Sequence, residues 1–253
     1  MKNILITICG RAGSKGCKNK NLKNFLGKPL VYYTLAAAFD FKDRVPDANV
    51  DICLNTDSKE LWNIVKSKYP EVIYIDRDEK LGEDKVPKAA VWHNCIDILQ
   101  TKFNKIYDYL IDLDITSPLR QKDDIINAYH LKITRTDADM VESVCSCRRN
   151  PYFNMYKEDG KFVSTVIDSN FTTRQEAPAV YDENASIYVL NTQFFINNNE
   201  NMLNKARTVV YQMKDTAVID IDSEEDFEMM GVIASYLYSN YESFDYINKM
   251  IRQ

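Results

Sequence analysis

Short apolar stretches alternate with longer amphipathic stretches along the first 150 residues of the chain. The short stretches predict five buried strands, at Ile4–Cys9, Val50–Leu54, Val72–Ile75, Ile106–Leu113 and Met140–Cys145. The stretches between them have apolar residues at helical spacing and predict helices at Pro29–Phe41, after Ser58 through Tyr69, Val86–Leu99 and Lys122–Ile133. Because the strands are apolar throughout, we expect an α/β fold with a mostly parallel sheet and helices on both faces.

The pattern changes after Cys147, where the chain becomes polar, aromatic and irregular, and we expect this segment to leave the sheet. Strand character returns at Ser186–Leu190 and Thr208–Tyr211, and Ser223–Tyr236 has the pattern of a capped amphipathic helix. The chain has neither an internal repeat nor a low-complexity linker. It is therefore predicted to form a single domain over residues 1–253 with an inserted lobe at 148–185.

Polar and charged residues follow the predicted strands at the points where the strands end. They are the loop that begins at Gly10, Asn55–Asp57, Arg77 and Asp112–Arg120. In sheets of parallel strands, ligands bind at the carboxyl ends of the strands. We therefore expect these residues to share one rim of the sheet and to form a binding site there.

The loop after the first predicted strand is rich in glycine and in basic residues. It does not match a Walker A motif, because the second glycine of that motif would fall on Lys15, nor a dinucleotide fingerprint, because Ala12 stands at the second glycine. Glycines let backbone N–H groups approach an anion, and Arg11 and Lys20 add positive charge. The loop is interpreted as an anion site, with a solvated basic turn as the alternative that its spacing leaves open.

Charge and cysteine usage restrict the class of protein. The formal net charge of −5 argues against non-specific binding to nucleic acid. The six cysteines lack the spacing of a zinc site, and several lie in apolar stretches where a thiol packs as a small hydrophobe. With no recognisable signal peptide or membrane-spanning stretch, we expect a cytoplasmic protein that binds neither membranes nor nucleic acid.

Two pairs of aspartates, each separated by one residue, are candidate metal ligands. Asp220 and Asp222 precede the helix that Ser223 caps, so the residues alone are equally consistent with metal ligands and with acids that favour a helix N-terminus. Asp112 and Asp114 end a predicted strand, as the metal-binding acids of many glycosyltransferases do. This second pair makes a glycosyltransferase a competing interpretation.

Further motifs follow the opening loop along the chain. Together with it they are Arg11–Gly16, Lys20–Asn21, Gly27–Leu30, Asn55–Ser58, Arg77 with Leu81 and Asp84, Thr116–Arg120, Asn184–Tyr188 and Asp220–Asp222. In this order the chain resembles the acylneuraminate cytidylyltransferases, which are the CMP-sialic acid synthetases and their relatives, with the CMP-legionaminic acid synthetases as a candidate branch. The resemblance covers most of the chain and implies a Rossmann-like fold of the nucleotide-diphospho-sugar transferase type.

The resemblance implies a reaction in which the anomeric hydroxyl of a nine-carbon sugar acid attacks the α-phosphorus of CTP and pyrophosphate leaves. It implies that Arg11, Lys20 and Asp220 are catalytic and that Asp220 and Asp222 hold Mg²⁺. The residues that it implies for nucleotide binding are Arg11, Ser14, Lys20, Asn21, Arg77 and Asp84. Such a reaction needs in-line positioning and neutralisation of charge more than covalent help from the protein.

The sugar-side positions depart further from the family pattern. By resemblance, Asp114, Tyr188 and Arg174 would contact the acceptor, Arg174 from the neighbouring subunit. Asp114 stands where sialic acid members carry Gln, and it could read a protonated amine or a hydroxyl. We therefore expect an acceptor other than, or as well as, N-acetylneuraminic acid, with legionaminic acid as the leading candidate. The lobe at 148–185 corresponds to the family's dimerisation segment and implies a two-fold homodimer.

Three alternatives remain open from the sequence. A CMP-KDO synthetase is disfavoured, because those relatives usually lack the S-K-G and K-N arrangement of the opening loop. A glycosyltransferase that uses Asp112 and Asp114 is disfavoured, because Thr116–Arg120 continues the cytidylyltransferase pattern. A nucleotide-sensing or scaffold protein on the same fold is disfavoured by the presence of Arg11 and Lys20 together with both C-terminal aspartates.

Overall fold

The strands and helices alternate over most of the chain, as the apolar pattern predicts. The computed structural model describes residues 1–13, 16–83, 85–197 and 206–252. Its strands are β1 (Lys2–Cys9), β2 (Asn24–Phe25), β3 (Lys28–Pro29), β4 (Ala48–Thr56), β5 (Ile73–Asp76), β6 (Tyr109–Leu113), β7 (Met140–Ser146), β8 (Tyr156–Asp159), β9 (Phe162–Thr165), β10 (Tyr181–Asn191) and β11 (Thr208–Gln212). Its helices are α1 (Val31–Arg44), α2 (Lys59–Lys68), α3 (Lys88–Phe103), α4 (Asp124–Thr134), α5 (Thr192–Ile196), α6 (Glu224–Asn240) and α7 (Asp245–Arg252).

A seven-stranded sheet in the order β11-β7-β10-β6-β1-β4-β5 forms the centre of the molecule. Neighbouring strands are parallel except at β10, which runs antiparallel to both β6 and β7. The predicted mostly parallel α/β sheet is therefore confirmed, with one reversed strand. Because β10 is reversed, its first residue, Tyr181, pairs with Ser146 at the carboxyl end of β7. The start of β10 thus lies at the same rim as the ends of the parallel strands.

Alternate residues of β1 supply the two apolar layers of the core. Ile4, Ile6 and Ile8 pack into the layer that α1, α2, α4, α6 and α7 cover. Leu5 packs on the opposite face with Leu110 and residues of α3. This alternation follows from the period of two along a strand, and because both faces are covered, most positions of the strands are apolar.

Polar caps fix where two of the helices begin. The Ser58 hydroxyl accepts a hydrogen bond from Leu61 N at 3.1 Å, so α2 begins directly after the end of β4. Ser223 and Asp226 form a capping box that begins α6. Both caps agree with the sequence-based prediction, and both hold a helix start next to the rim where the polar segments converge.

The segment after β7 carries a hairpin apart from the central sheet. Strands β8 and β9 pair only with each other within the described residues, and Phe162 at the start of β9 is 81% exposed. The lobe predicted at 148–185 contains this hairpin, while Tyr181–Glu183 at its end already pair with β7. No helix among the described residues is long and apolar enough to span a membrane.

Candidate active site

The loop after β1 is tied to the end of β4. The N–H of Gly10 donates to the Asn55 carbonyl at 3.1 Å, and the N–H of Ala12 donates to the Asp57 carboxylate at 2.7 Å. A Cβ at Gly10 would lie 2.8 Å from the ends of the Leu61 and Ile115 side chains, so any other residue would require those side chains to shift. The loop therefore leaves the sheet at a fixed place and angle.

A cleft of about 340 Å³ lies beside this loop. The predicted site residues that line it are Arg11, Lys20, Asn21, Arg77, Asp114, Asp220 and Asp222. Glu83, Lys88 and Thr116 line it as well. Residues from the beginning, the middle and the end of the chain thus meet in one cleft, as the prediction of a shared rim requires. Ser14 and Asp84 lie outside the described residues.

Lys20 joins the loop to the C-terminal aspartates. Its ammonium donates to the Ile221 carbonyl at 2.7 Å and to the Asp222 carboxylate at 3.0 Å. Gly16 approaches the same segment so closely that a Cβ there would fall 2.1 Å from the Asp222 carbonyl oxygen. The two segments that the sequence predicts to converge are therefore in direct contact, although about 200 residues separate them.

Arg77 and Asn21 are held by backbone groups of the same rim. The Arg77 guanidinium donates to the side chain of Asn55 at 2.5 Å and to its carbonyl at 3.0 Å. The Asn21 amide donates to the Arg11 carbonyl at 3.1 Å. Both side chains are less than one tenth exposed, so their positions are set before any ligand binds.

Asp220 and Asp222 contribute two carboxylates to the lining of the cleft. Burial, and after it the charge of Asp222, raises the pKa of Asp220. A cation between them would relieve this cost. The described residues hold no group of three or more His, Cys, Asp or Glu side chains suited to a metal. Two carboxylates completed by phosphate oxygens and water are nonetheless a donor set that suits Mg²⁺, so the residues fit that ion.

Lys88, at the start of α3, is a cleft residue that sequence reasoning missed. Its ammonium lies 2.8 Å from the Asp112 carboxylate and 3.0 Å from the Asp114 carboxylate. Burial lowers the pKa of Lys88, but the two carboxylates outweigh burial and raise it well above its usual value. Burial raises the pKa of Asp114, but the charge of Lys88 and hydrogen bonds from Thr116 outweigh it and hold this pKa well below its usual range. Asp112 and Asp114 are therefore engaged by a cation of the chain itself, which disfavours the glycosyltransferase interpretation.

Tyr188 lies one layer behind Lys88, outside the lining of the cleft. The Lys88 ammonium is 5.1 Å from the centre of its ring, and its hydroxyl donates to Glu183 at 2.5 Å. Glu142 stands opposite Tyr188 in the pairing of β7 with β10. Burial, and after it the neighbouring Glu183, raises the pKa of Glu142. Tyr188 thus supports the cleft from behind in this single chain.

Arg174 is exposed and does not line the cleft that the described residues form. Its guanidinium donates to the Cys147 carbonyl at 2.8 Å, at the base of the lobe. The resemblance assigns Arg174 to the site of a neighbouring subunit, and this assignment stays a prediction.

Comparisons with known proteins agree on one family. A family model described as Cytidylyltransferase matches residues 5–244. The chain is 36% identical over 231 residues to post-translational flagellin modification protein B of Campylobacter coli, covering 91% of this chain and 94% of that protein. It is 34% identical over 235 residues to CMP-N,N'-diacetyllegionaminic acid synthase of Campylobacter jejuni subsp. jejuni, covering 93% of this chain and 96% of that protein.

A solved structure shows the same fold at lower identity. CMP:2-keto-3-deoxy-manno-octonic acid synthetase, complexed with CTP, superposes with a TM-score of 0.66 at 14% identity. The alignment covers 93% of this chain and 99% of that structure. Since the family match spans nearly the whole chain and both relatives exceed 30% identity, this chain is a nucleotidyltransferase and belongs to the cytidylyltransferase family.

Proposed function

We propose that this protein transfers CMP from CTP to the anomeric hydroxyl of a nine-carbon sugar acid and releases pyrophosphate. The observation that carries the proposal is the contact of Lys20 with Asp222 at 3.0 Å, which brings the cationic loop and the paired carboxylates to one cleft. The 34% identity to CMP-N,N'-diacetyllegionaminic acid synthase supports a legionaminic-type acceptor.

The cationic side of the cleft would bind the triphosphate. Arg11 and Lys20 lie where they could neutralise the charge that develops on the phosphates as the acceptor oxygen attacks. Asn21 and Arg77, which are held by the backbone, would orient the nucleotide. The resemblance also assigns Ser14 and Asp84 to the nucleotide. The reaction then depends on in-line positioning, and no covalent intermediate with the protein is needed.

Asp220 and Asp222 would hold Mg²⁺, with Asp220 as the catalytic carboxylate. The bound ion would supply positive charge for the phosphate oxygens. The raised pKa of Asp220 supports this role, because a nearby cation would favour its ionised form.

The part of the cleft around Asp114 would receive the sugar acid, and two subunits would complete it. Asp114 and Lys88 both line the cleft, and Tyr188 lies behind Lys88. We propose a homodimer in which the partner subunit's Arg174 reaches the acceptor. The exposed apolar residues of the lobe support an interface there, since Tyr156, Phe162 and Val163 are each more than 60% exposed.

Pyrophosphate release tests the proposal directly. The purified protein is incubated with CTP, Mg²⁺ and, one at a time, sialic, legionaminic, pseudaminic and KDO acceptors. We expect pyrophosphate and a CMP-sugar with the legionaminic-type acceptor, and much less product when ATP or UTP replaces CTP. CTP binding without turnover across the panel would instead indicate a nucleotide-binding protein.

A further inference from the structure

Two carboxylates fix the ammonium of Lys88 at the cleft, and each carboxylate is itself anchored. Asp112 is fully buried and accepts a hydrogen bond from the Thr7 hydroxyl at 2.7 Å. Asp114 accepts from the N–H of Thr116 at 3.0 Å and from its hydroxyl at 2.8 Å. The position of Lys88 is therefore set from both sides, which is what a preorganised recognition group requires.

The aromatic side of the cluster restricts Lys88 further. The ring of Tyr188 lies 5.1 Å from the ammonium, and the Trp92 ring is 6.0 Å away. Glu183 fixes the Tyr188 hydroxyl at 2.5 Å. The Lys88 side chain nevertheless lines the open cleft. An ammonium has three N–H donors. One donates to Asp114 at 3.0 Å, and Asp112 pairs with the charge at 2.8 Å, so at least one N–H remains for a ligand.

The charges around Lys88 decide which ligand group can accept a hydrogen bond from the remaining N–H. Two carboxylates already surround the ammonium, so a third carboxylate from a ligand would be repelled. A protonated amine would meet the like charge of Lys88, and both oxygens of Asp114 already accept hydrogen bonds, one from Lys88 and the other from Thr116. A neutral oxygen, such as an acyl carbonyl or a hydroxyl, satisfies the remaining N–H without either cost.

We propose that Lys88 is a specificity-determining residue for the acceptor, which donates to a neutral oxygen of an acylamino or hydroxyl substituent and keeps protonated amines away from Asp114. The inference rests on the proposed function. It replaces the expectation that Asp114 reads the substituent directly: Asp114 positions Lys88, and Lys88 contacts the sugar.

A pair of acceptors tests the inference: an N-acylated nine-carbon sugar acid and the same compound with a free amine. We expect the wild-type protein to prefer the acylated form in kcat/KM by about 10-fold or more, the factor that a hydrogen bond to a charged group supplies. In Lys88→Met, Asp114 is free to pair with the amine, and we expect the preference to fall at least about 10-fold or to reverse. This ratio does not depend on the fraction of the variant that is folded.

Further variants separate recognition from structural effects. Asp114→Asn removes one of the two anchors of Lys88, so the preference for the acylated acceptor should fall, but less than in Lys88→Met, because Asp112 still pairs with the ammonium. A preference that is lost in Asp114→Asn and kept in Lys88→Met would mean that Asp114 contacts the acceptor itself. The double variant Lys88→Met, Asp114→Asn should lose the increased activity toward the free-amine acceptor that Lys88→Met alone is expected to show. Lys102→Met, an exposed lysine on the same helix, serves as the matched control. The KM for CTP should stay unchanged in all of them.

The outcomes distinguish the inference from the proposed function. If the wild-type protein releases no pyrophosphate with any acceptor, the proposed function fails. If the wild-type protein is active and Lys88→Met keeps the wild-type preference between the two acceptors, the role of Lys88 is overturned while the proposed function stands.

Discussion

The backbone of Gly16 lies so close to Asp222 that a Cβ on Gly16 would fall 2.1 Å from the Asp222 carbonyl oxygen. The atom that would be displaced belongs to the backbone, so a rotamer change cannot relieve the clash. Gly16 thus sets how closely the cationic loop approaches the carboxylate segment.

Gly16→Ala should therefore move Asp222 away from Lys20. We expect a loss of about 1–3 kcal/mol in the free energy of unfolding, the usual cost of overpacking, and a fall of roughly 10-fold or more in kcat/KM. Chemical denaturation and pyrophosphate release measure the two effects. Gly231→Ala is the matched control, because a Cβ there meets nothing closer than 3.9 Å and alanine favours the helix. Wild-type kinetics in Gly16→Ala would contradict the proposed contact between loop and carboxylates.

Arg11 offers a test of charge neutralisation at the triphosphate. Its guanidinium lies in the cleft, where it donates to the Gly82 carbonyl at 3.3 Å. We expect Arg11→Ala to lower kcat by roughly 10²–10³-fold, as the loss of a preorganised donor does, with an unchanged thermal midpoint. Arg135→Ala, an exposed arginine paired with Asp137, should keep full activity. Retained turnover in Arg11→Ala would remove this residue from the catalytic group.

The residues around Lys20 and Asp222 could be predicted from sequence, because short motifs with a fixed order mark them. The apolar runs also predicted the strands, since burial on both faces leaves an unbroken apolar stretch. The role of Lys88 could not be predicted in this way. A single lysine after Pro87 has no distinctive spacing, and its meaning arises only when the fold sets it between Asp112 and Asp114.

The direction of β10 and the hairpin β8–β9 were missed for similar reasons. The strand that contains Ser186–Leu190 is apolar like its parallel neighbours, so the pattern does not reveal that it runs the other way. The hairpin strands are short and largely exposed, and they therefore lack the alternation that marks a half-buried strand. Tertiary strand pairing determines both features, and the local sequence does not indicate which strands pair or in which direction.

Metal dependence follows from the proposed role of Asp220 and Asp222. We expect EDTA to abolish pyrophosphate release and added Mg²⁺ to restore it. Asp220→Asn should raise the Mg²⁺ concentration needed for half-maximal rate by about 10-fold or more, because one of two carboxylates is lost. Asp215→Asn, an exposed aspartate nearby in sequence, should leave that concentration unchanged. Equal Mg²⁺ requirements in both variants would argue against Asp220 as a ligand.

Asp124, away from the cleft, predicts a pH dependence of stability. Burial, opposed by weaker hydrogen bonds from Gln121 and Tyr211, raises the pKa of Asp124 to about 6. A raised pKa means that the folded state holds the proton more tightly than the unfolded state does. The stabilisation is therefore complete below the ordinary pKa of 3.8 and is lost as the pH rises through about 6.

Asp124→Asn should remove this dependence, because the amide cannot ionise. We measure the thermal midpoints of the wild-type protein and the variant by circular dichroism at pH 4.5 and pH 7. The wild-type midpoint minus the variant midpoint should be smaller at pH 7 than at pH 4.5. The exposed Asp97→Asn variant should follow the wild-type curve. Parallel curves for the wild-type protein and Asp124→Asn would mean that Asp124 does not titrate in this range.

The proposed role of Arg174 in the partner's site predicts that mixing two inactive variants restores activity. Its side chain is exposed and held at the Cys147 carbonyl, outside the cleft lining of its own chain, so we expect it to act in the partner's site. In a heterodimer of Arg174→Ala and Lys20→Met, one site then keeps an intact Lys20 together with the partner subunit's Arg174. The other site lacks both.

Random exchange between equal amounts of the two variants should give about a quarter of the wild-type activity, since half of the dimers are mixed and each has one complete site. Each variant alone should be nearly inactive, and activity that does not rise on mixing, despite exchange shown by mass spectrometry, would mean that Arg174 serves its own chain.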